Sequence, residues 1–178
     1  MPTPPDKQPH ARRGREVASN PDLLPTASDI ARFNRKIVYS PHCWFWTGAI
    51  STPDGYGRFT FQRDNQQRTM LAHRFALLAA GIDLAEGGVA EHACNEPLCV
   101  KVSADHVHRS TQSTNLRYAV GRGRHDGSRL VVQSHNRAAR SLRIRSALTS
   151  GWNEEAYRAA VNGTEEEQLS LFSRSPED

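Results

Sequence analysis

The sequence predicts an α+β domain, and three observations predict it. Aromatic and β-branched residues stand on both sides of a Pro53-Asp54-Gly55 turn, the pattern of a β-hairpin. Apolar residues recur at helical spacing within QQRTMLAHRFALLAAG and again from Asn136 to Leu148. Three cysteines and several histidines are spaced so that one metal ion could tie these small pieces together.

The elements follow in order. Residues 1–27 are rich in proline, polar residues and arginine without periodicity, which predicts a disordered arm, or one ordered on contact with nucleic acid. A short helix is expected from a Ser28 cap through Asp29, Ile30, Phe33 and Ile37. HCWFWTGAI and YGRFTF form the hairpin, and a second turn at Asp64-Asn65 leads to a third strand. A helix packing Phe75 and Leu78 then ends at Gly81. Residues 82–92 read as a loop and a short strand ending in VAEH. After the cysteine loop, a helix capped by Ser110 or Thr111 runs to Val120 and is broken by GRGRHDG. From Asn136 to Leu148, Ala138 pairs with Leu142 and Ile144 with Leu148 at i,i+4, while Arg137, Arg140 and Arg143 share another side. Asn153 caps a last short helix that stops at Asn162-Gly163.

At 178 residues there is room for one domain plus tails. The hydrophobic share is 37% and the mean hydropathy −0.65, so much of the chain is polar. No apolar run is long enough to cross a bilayer, and the opening MPTPPDKQPHARRGR has neither the apolar core nor the cleavage site of a secretory signal. A cytoplasmic location with reduced thiols is expected, which favours metal binding over disulfides. The net charge of +4 is uneven. Residues 121–150 carry seven arginines against Asp126, whereas residues 151–178 carry seven acids against Arg158 and Arg174. The basic block suits a polyanion.

The stretch EHACNEPLCVKVSADHVHRSTQSTN, residues 91–115, concentrates the chemistry. Structural zinc takes four sulfur or nitrogen ligands in a tetrahedron. Cys94 and Cys99 flank a tight NEPL loop, His106 or His108 can supply a nitrogen, and Cys43 is the remaining thiol. Such a cross-link adds metal-linked folding energy to a small core. His92 is left over. In an extended segment it shares a face with Cys94, and a histidine held there is suited to take a proton from water. Asn115, on the following helix, offers an oxygen suited to magnesium.

The run C43-W-x-W-T-G, G55-Y-G-R, A72-H-R, H92-x-C-x4-C-V, H106-V-x-x-S-T-x3-N115 and G121-R-G-R resembles the HNH endonucleases of phages and bacteria. It is closest to those whose zinc loop is similar to that of the His-Cys box homing endonucleases. The resemblance covers residues 32–124 and implies a ββα-metal (His-Me finger) core over residues 28–125; beyond it, the arginines and helical spacing predict a basic helical extension over 126–164. It implies that His92 is the general base, that Asn115 holds magnesium, and that Cys43, Cys94, Cys99 and His106 hold zinc. The implied reaction is hydrolysis of a DNA phosphodiester, in a homing-type nicking or cleaving enzyme, with Arg74, Arg58 or Arg68 steadying the phosphate. Arg63, Arg122, Arg124, Arg137, Arg140 and Arg143 are further candidates for DNA contact. The chain departs from the family in a longer Cys99–His106 gap and in Asn95-Glu96, where an asparagine normally pins the loop.

Residues 165–178 form an acidic tail containing QLSLF, which resembles the peptide that docks bacterial DNA-processing proteins on the sliding clamp. Gln168, Leu169, Leu171 and Phe172 are the anchors this implies. A capping box between Thr164 and Glu167 allows instead a last packed helix. A different class of function also fits the sequence: a non-catalytic zinc module that binds DNA and docks on a replication partner.

Overall fold

The computed structural model describes residues 24–84, 88–121 and 130–163, without the side chains of Asn115, of 118–121 and of 130–136. The expectations for the N-terminal arm up to residue 23, for Arg122 and Arg124, and for the QLSLF tail lie outside the described residues. The described residues are mixed α and β, with three small antiparallel sheets among them.

Helix α1 spans Ala27–Asn34, and its cap, Thr26, lies two residues before the expected Ser28. Thr26 Oγ1 accepts from the Asp29 amide, and Asp29 Oδ2 accepts from the Thr26 amide, a reciprocal cap that Ser28 does not make. Ile37 is not in this helix. It opens β1, Ile37–Tyr39, which pairs with β2, Trp44–Trp46, in the register Ile37↔Trp46, Val38↔Phe45 and Tyr39↔Trp44. Pairing with a strand seven residues further on overrides the helical spacing of Ile30, Phe33 and Ile37.

Strands β3 (Ala49–Ile50), β4 (Gly57–Arg63) and β5 (Gln66–Leu71) form a meander in sequence order, but of the expected first arm HCWFWTGAI only Ala49–Ile50 pairs with β4, because Trp44–Trp46 pairs with β1 instead. Asp64 and Asn65 both have positive φ, 49° and 57°, which lets a two-residue turn follow the twist of its strands. Helix α2, Ala72–Ala79, follows at once and ends before Gly81, whose φ is 74°. Between α1 and this sheet lies an aromatic core of Phe33, Trp46, Phe59, Phe61 and Phe75, with Phe59 and Phe75 ring centroids 4.4 Å apart. Gly48 and Gly57 lie so close to the Trp46 ring that any Cβ there would collide with it.

Strands β6 (Gly88–His92) and β7 (Val107–Thr111) pair antiparallel around a long loop, and α3, Gln112–Gly121, leaves directly from β7. Thr111 Oγ1 accepts from the Thr114 amide at 3.2 Å, so threonine starts this helix as expected. Helices α4 (Leu130–Ala147) and α5 (Glu154–Asn162) pack together, with Asn153 Oδ1 capping the latter at 2.8 Å. A second core joins them to the cysteine loop through Phe45, Leu77, Leu98, Val107, Ile144 and Leu148.

The expected Ala138–Leu142 pair does not form the buried stripe of α4. Leu142 is exposed, and Ser141 is buried instead. There the helix meets Gly55 so closely that only a small side chain fits. No helix among the described residues is long and apolar enough to cross a membrane.

Candidate metal centre and active site

Cys43, Cys94, Cys99 and His106 converge. Their ligand atoms all lie within 4.8 Å of one another. The His106 Nδ1 is 3.6 Å from both Cys43 Sγ and Cys99 Sγ. A tetrahedral zinc with bonds of about 2.3 Å to sulfur and about 2.0–2.1 Å to nitrogen requires a sulfur–nitrogen edge of about 3.6 Å. The donor set and its spacing therefore fit zinc, with His106 rather than His108 in the cluster.

Local chain geometry aims each donor. Ser40 Oγ accepts from the Cys43 amide at 3.1 Å and donates to the Cys43 carbonyl at 2.8 Å, closing the turn before β2. The NEPL loop turns through Asn95 at φ 58°. Glu96 pins this loop. Its Oε1 accepts from the Leu98 amide at 3.2 Å, and its Oε2 is 2.8 Å from Arg140 Nη2 on α4. The loop is also stitched to β2: the Val100 amide donates to Trp44 O and the Trp46 amide to Leu98 O, each at 2.8 Å. Hydrogen bonds from Cys43 and Cys99 hold the Cys94 thiol far below the usual range, while the bond to Cys94 pushes Cys43 far above it. Zinc binds thiolates, so a metal held by these donors would displace the thiol protons.

His92 ends β6 beside this cluster, buried. Its Nε2 lies 3.0 Å from the carbonyl oxygen of Cys99. A carbonyl only accepts, so Nε2 carries the proton and Nδ1 keeps its lone pair. The ring packs edge-on against His73, centroids 4.4 Å apart, and stacks on Tyr56 at 5.8 Å. Burial pushes the His92 pKa below the ordinary histidine value, which keeps the ring neutral near pH 7.

Four buried side-chain atoms among the described residues lack a hydrogen-bond partner: His73 Nδ1, Glu91 Oε2, His108 Nδ1 and Ser141 Oγ. Three of these belong to residues around His92. Glu91 precedes it, His108 faces Glu91 across the β6–β7 ladder with Nε2 4.0 Å from Oε2, and His73 touches its ring. A buried carboxylate oxygen without a partner is costly, so a water or cation is the usual company for one. Glu91 and His73 carry no role in the sequence pattern. A buried acid directly before His92, in an otherwise apolar strand, was the available signal for the first.

Asn115 lies on α3, which packs on β7 and on β6, the strand that carries both Glu91 and His92; its side chain lies outside the description. Arg74 sits on α2 next to His73, and burial lowers its pKa. Arg68 is exposed on β5, while Arg58 is 3.5 Å from Asp54. Others are engaged inside the fold. Arg63 pairs with Asp29 at 2.6 Å and donates to Leu24 O, Arg140 pairs with Glu96, and Arg143 Nε donates to Ala160 O at 3.1 Å. Arg137 is half-buried on α4 beside Gly55.

No family model matches the chain, and no curated protein matches it. A solved structure is similar to it. That structure is described as "DNA binding and cleavage by the HNH homing endonuclease I-HmuI"; the identity is 22% and the TM-score 0.36. The likeness covers 49% of this chain and 48% of that one, so this chain spans about half of its length.

Proposed function

We propose that this chain is a metal-dependent HNH-type endonuclease that hydrolyses a DNA phosphodiester, built on a ββα-metal core of β6, β7 and α3. The observation that carries this reading is the Glu91–His92 pair: a neutral imidazole with its tautomer fixed, next in the chain to a buried carboxylate oxygen that has no hydrogen-bond partner among the described residues. The Cys43, Cys94, Cys99 and His106 cluster is a structural zinc staple whose backbone holds that imidazole.

His92 Nδ1 accepts a proton from water, and the water oxygen attacks phosphorus as the 3′ oxygen departs. Glu91 Oε2 and Asn115 are the groups that would hold magnesium, and Glu91 fits because an orphaned buried carboxylate is a hard anionic donor. Bound there, magnesium supplies neutralisation of charge on the phosphate and leaving oxygen. Arg74, without a hydrogen bond or ion pair among the described residues, is the cation proposed for the non-bridging oxygens.

A plasmid-nicking assay with magnesium, with EDTA and with His92→Ala tests the reading. Nicking that needs magnesium and His92 supports it. DNA binding with no metal-dependent nicking leaves the non-catalytic zinc module in its place.

A further inference from the structure

The β1–β2 hairpin ends in two large rings that the fold does not use. Tyr39 is 53% exposed and Trp44 38%, whereas the neighbouring Phe45 and Trp46 are fully buried. Tyr39 and Trp44 are direct partners across the ladder, and their rings meet edge to face with centroids 5.1 Å apart. An edge-to-face pair consumes only one π face, so open ring faces remain on the outside of the hairpin.

The charge around this pair is one-sided. From residue 30 to residue 53 the chain contains Arg32, Arg35 and Lys36 and no acid. Arg35 and Lys36 are exposed at the open end of the hairpin. At the turn end, Lys101 Nζ donates to His42 O at 3.1 Å, which brings a third cation beside the rings. Two of the chain's three lysines thus lie at the two ends of the hairpin, Lys36 Nζ 6.0 Å from the Trp46 ring centroid at the open end and Lys101 at the turn. Open aromatic faces between cations match a nucleic-acid strand, whose bases stack while its phosphates pair with the cations.

We propose that Tyr39 and Trp44 form a stacking platform for unpaired bases of a DNA strand, with Lys36 and Lys101 holding the phosphates on either side. The proposal rests on the nuclease reading for its substrate class and adds a single-stranded segment to it. The platform is registered to the proposed active site. Trp44 follows the zinc ligand Cys43, and its carbonyl accepts from Val100, the residue after the Cys99 whose carbonyl holds His92. Bases held on the rings are therefore fixed relative to the imidazole. A duplex, whose bases are already stacked on one another, offers the rings no such face.

The test is equilibrium binding of an oligothymidylate single strand and of a duplex of equal length to the full zinc-loaded chain, without magnesium so that nothing is cut. Tyr39→Ala, Trp44→Leu and Trp44→Phe are compared with the parent, each checked for zinc content and thermal unfolding. Tyr39→Ala and Trp44→Leu are expected to weaken single-strand binding about tenfold each, with duplex binding changed less than twofold and Trp44→Phe close to the parent. Quenching of Trp44 fluorescence by the single strand is expected alongside. Unchanged single-strand affinity in Tyr39→Ala overturns the proposal, and so does an equal loss on duplex. Self-association through the rings without single-strand binding overturns it as well. A chain that binds the single strand through the rings but never nicks would retire the nuclease reading and leave the platform standing. Nicking indifferent to both ring substitutions would do the reverse.

Discussion

His92 and Cys99 are joined by a 3.0 Å hydrogen bond from the imidazole Nε2 to the backbone carbonyl of the cysteine. A residue of the proposed zinc site thereby sets the tautomer and direction of the proposed base, in the way that an outer partner orients a ligating histidine in metal enzymes. In the proposed enzyme the zinc loop is thus more than a staple, because its own peptide orients the proposed base.

His92→Ala is expected to lower nicking by at least about 10²-fold while zinc content and thermal unfolding stay near the parent values. The hydrogen bond it removes is a single one, and the four metal donors are untouched. Loss of zinc in this variant would show that the imidazole serves the loop rather than the water.

Glu91→Gln is expected to abolish magnesium-dependent nicking without reducing stability. A carboxylate buried with an unsatisfied oxygen is a cost to the fold, so the neutral amide should leave it unchanged or about 1 kcal/mol more stable. Denaturant unfolding at pH 7 separates the cases, and destabilisation by several kcal/mol would assign Glu91 a structural role.

Removing zinc by chelation, or replacing Cys43 with serine, is expected to lower the melting temperature by more than about 10 °C. Cys43 and Cys99 lie in the same buried cluster as Phe45, Leu98 and Val107, so opening the site exposes that core. A melting curve unmoved by chelator would mean that the four donors bind no structural ion.

Acid is expected to weaken the fold below about pH 6.5. Burial, and next the proximity of His92, hold His73 well below the ordinary histidine value, and burial lowers His92 too. The unfolded chain then binds protons that the folded chain refuses. Stability is complete above the unfolded value and is lost as pH falls below it, at up to about 1.4 kcal/mol per pH unit for each imidazole. His73→Phe should make the loss between pH 6.5 and 5.5 shallower than in the parent, measured by urea unfolding; identical slopes would count against a buried neutral His73.

Arg140→Ala is expected to destabilise the chain by about 2–3 kcal/mol, because it leaves the buried Glu96 carboxylate without its partner. Pairing it with Glu96→Gln should recover part of the loss. Were Arg140 mainly a phosphate contact, the substitution would instead reduce the salt slope of DNA binding at unchanged stability.

The local signals were legible because they act over a few residues. Asn153 caps α5, Thr111 starts α3, and Asp64-Asn65 turns β4 into β5, each through bonds to neighbours in the chain. The three thiols of the candidate metal cluster were also legible, since the chain holds only three, whereas the choice between His106 and His108 is made by the folded loop. What the sequence left open depends on partners distant along the chain. Ile37 belongs to a strand because Trp46 pairs with it, although its spacing from Phe33 fits a helix. Ser141 is buried in place of Leu142 because Gly55 approaches α4 there, and Glu96 is a loop pin because Arg140 reaches it from 44 residues away. Composition and spacing thus determined which chemistry this protein can assemble. Tertiary packing alone decided which carboxylate and which histidine nitrogen stay unsatisfied, because burial and hydrogen-bond satisfaction belong to the folded surroundings rather than to any residue by itself.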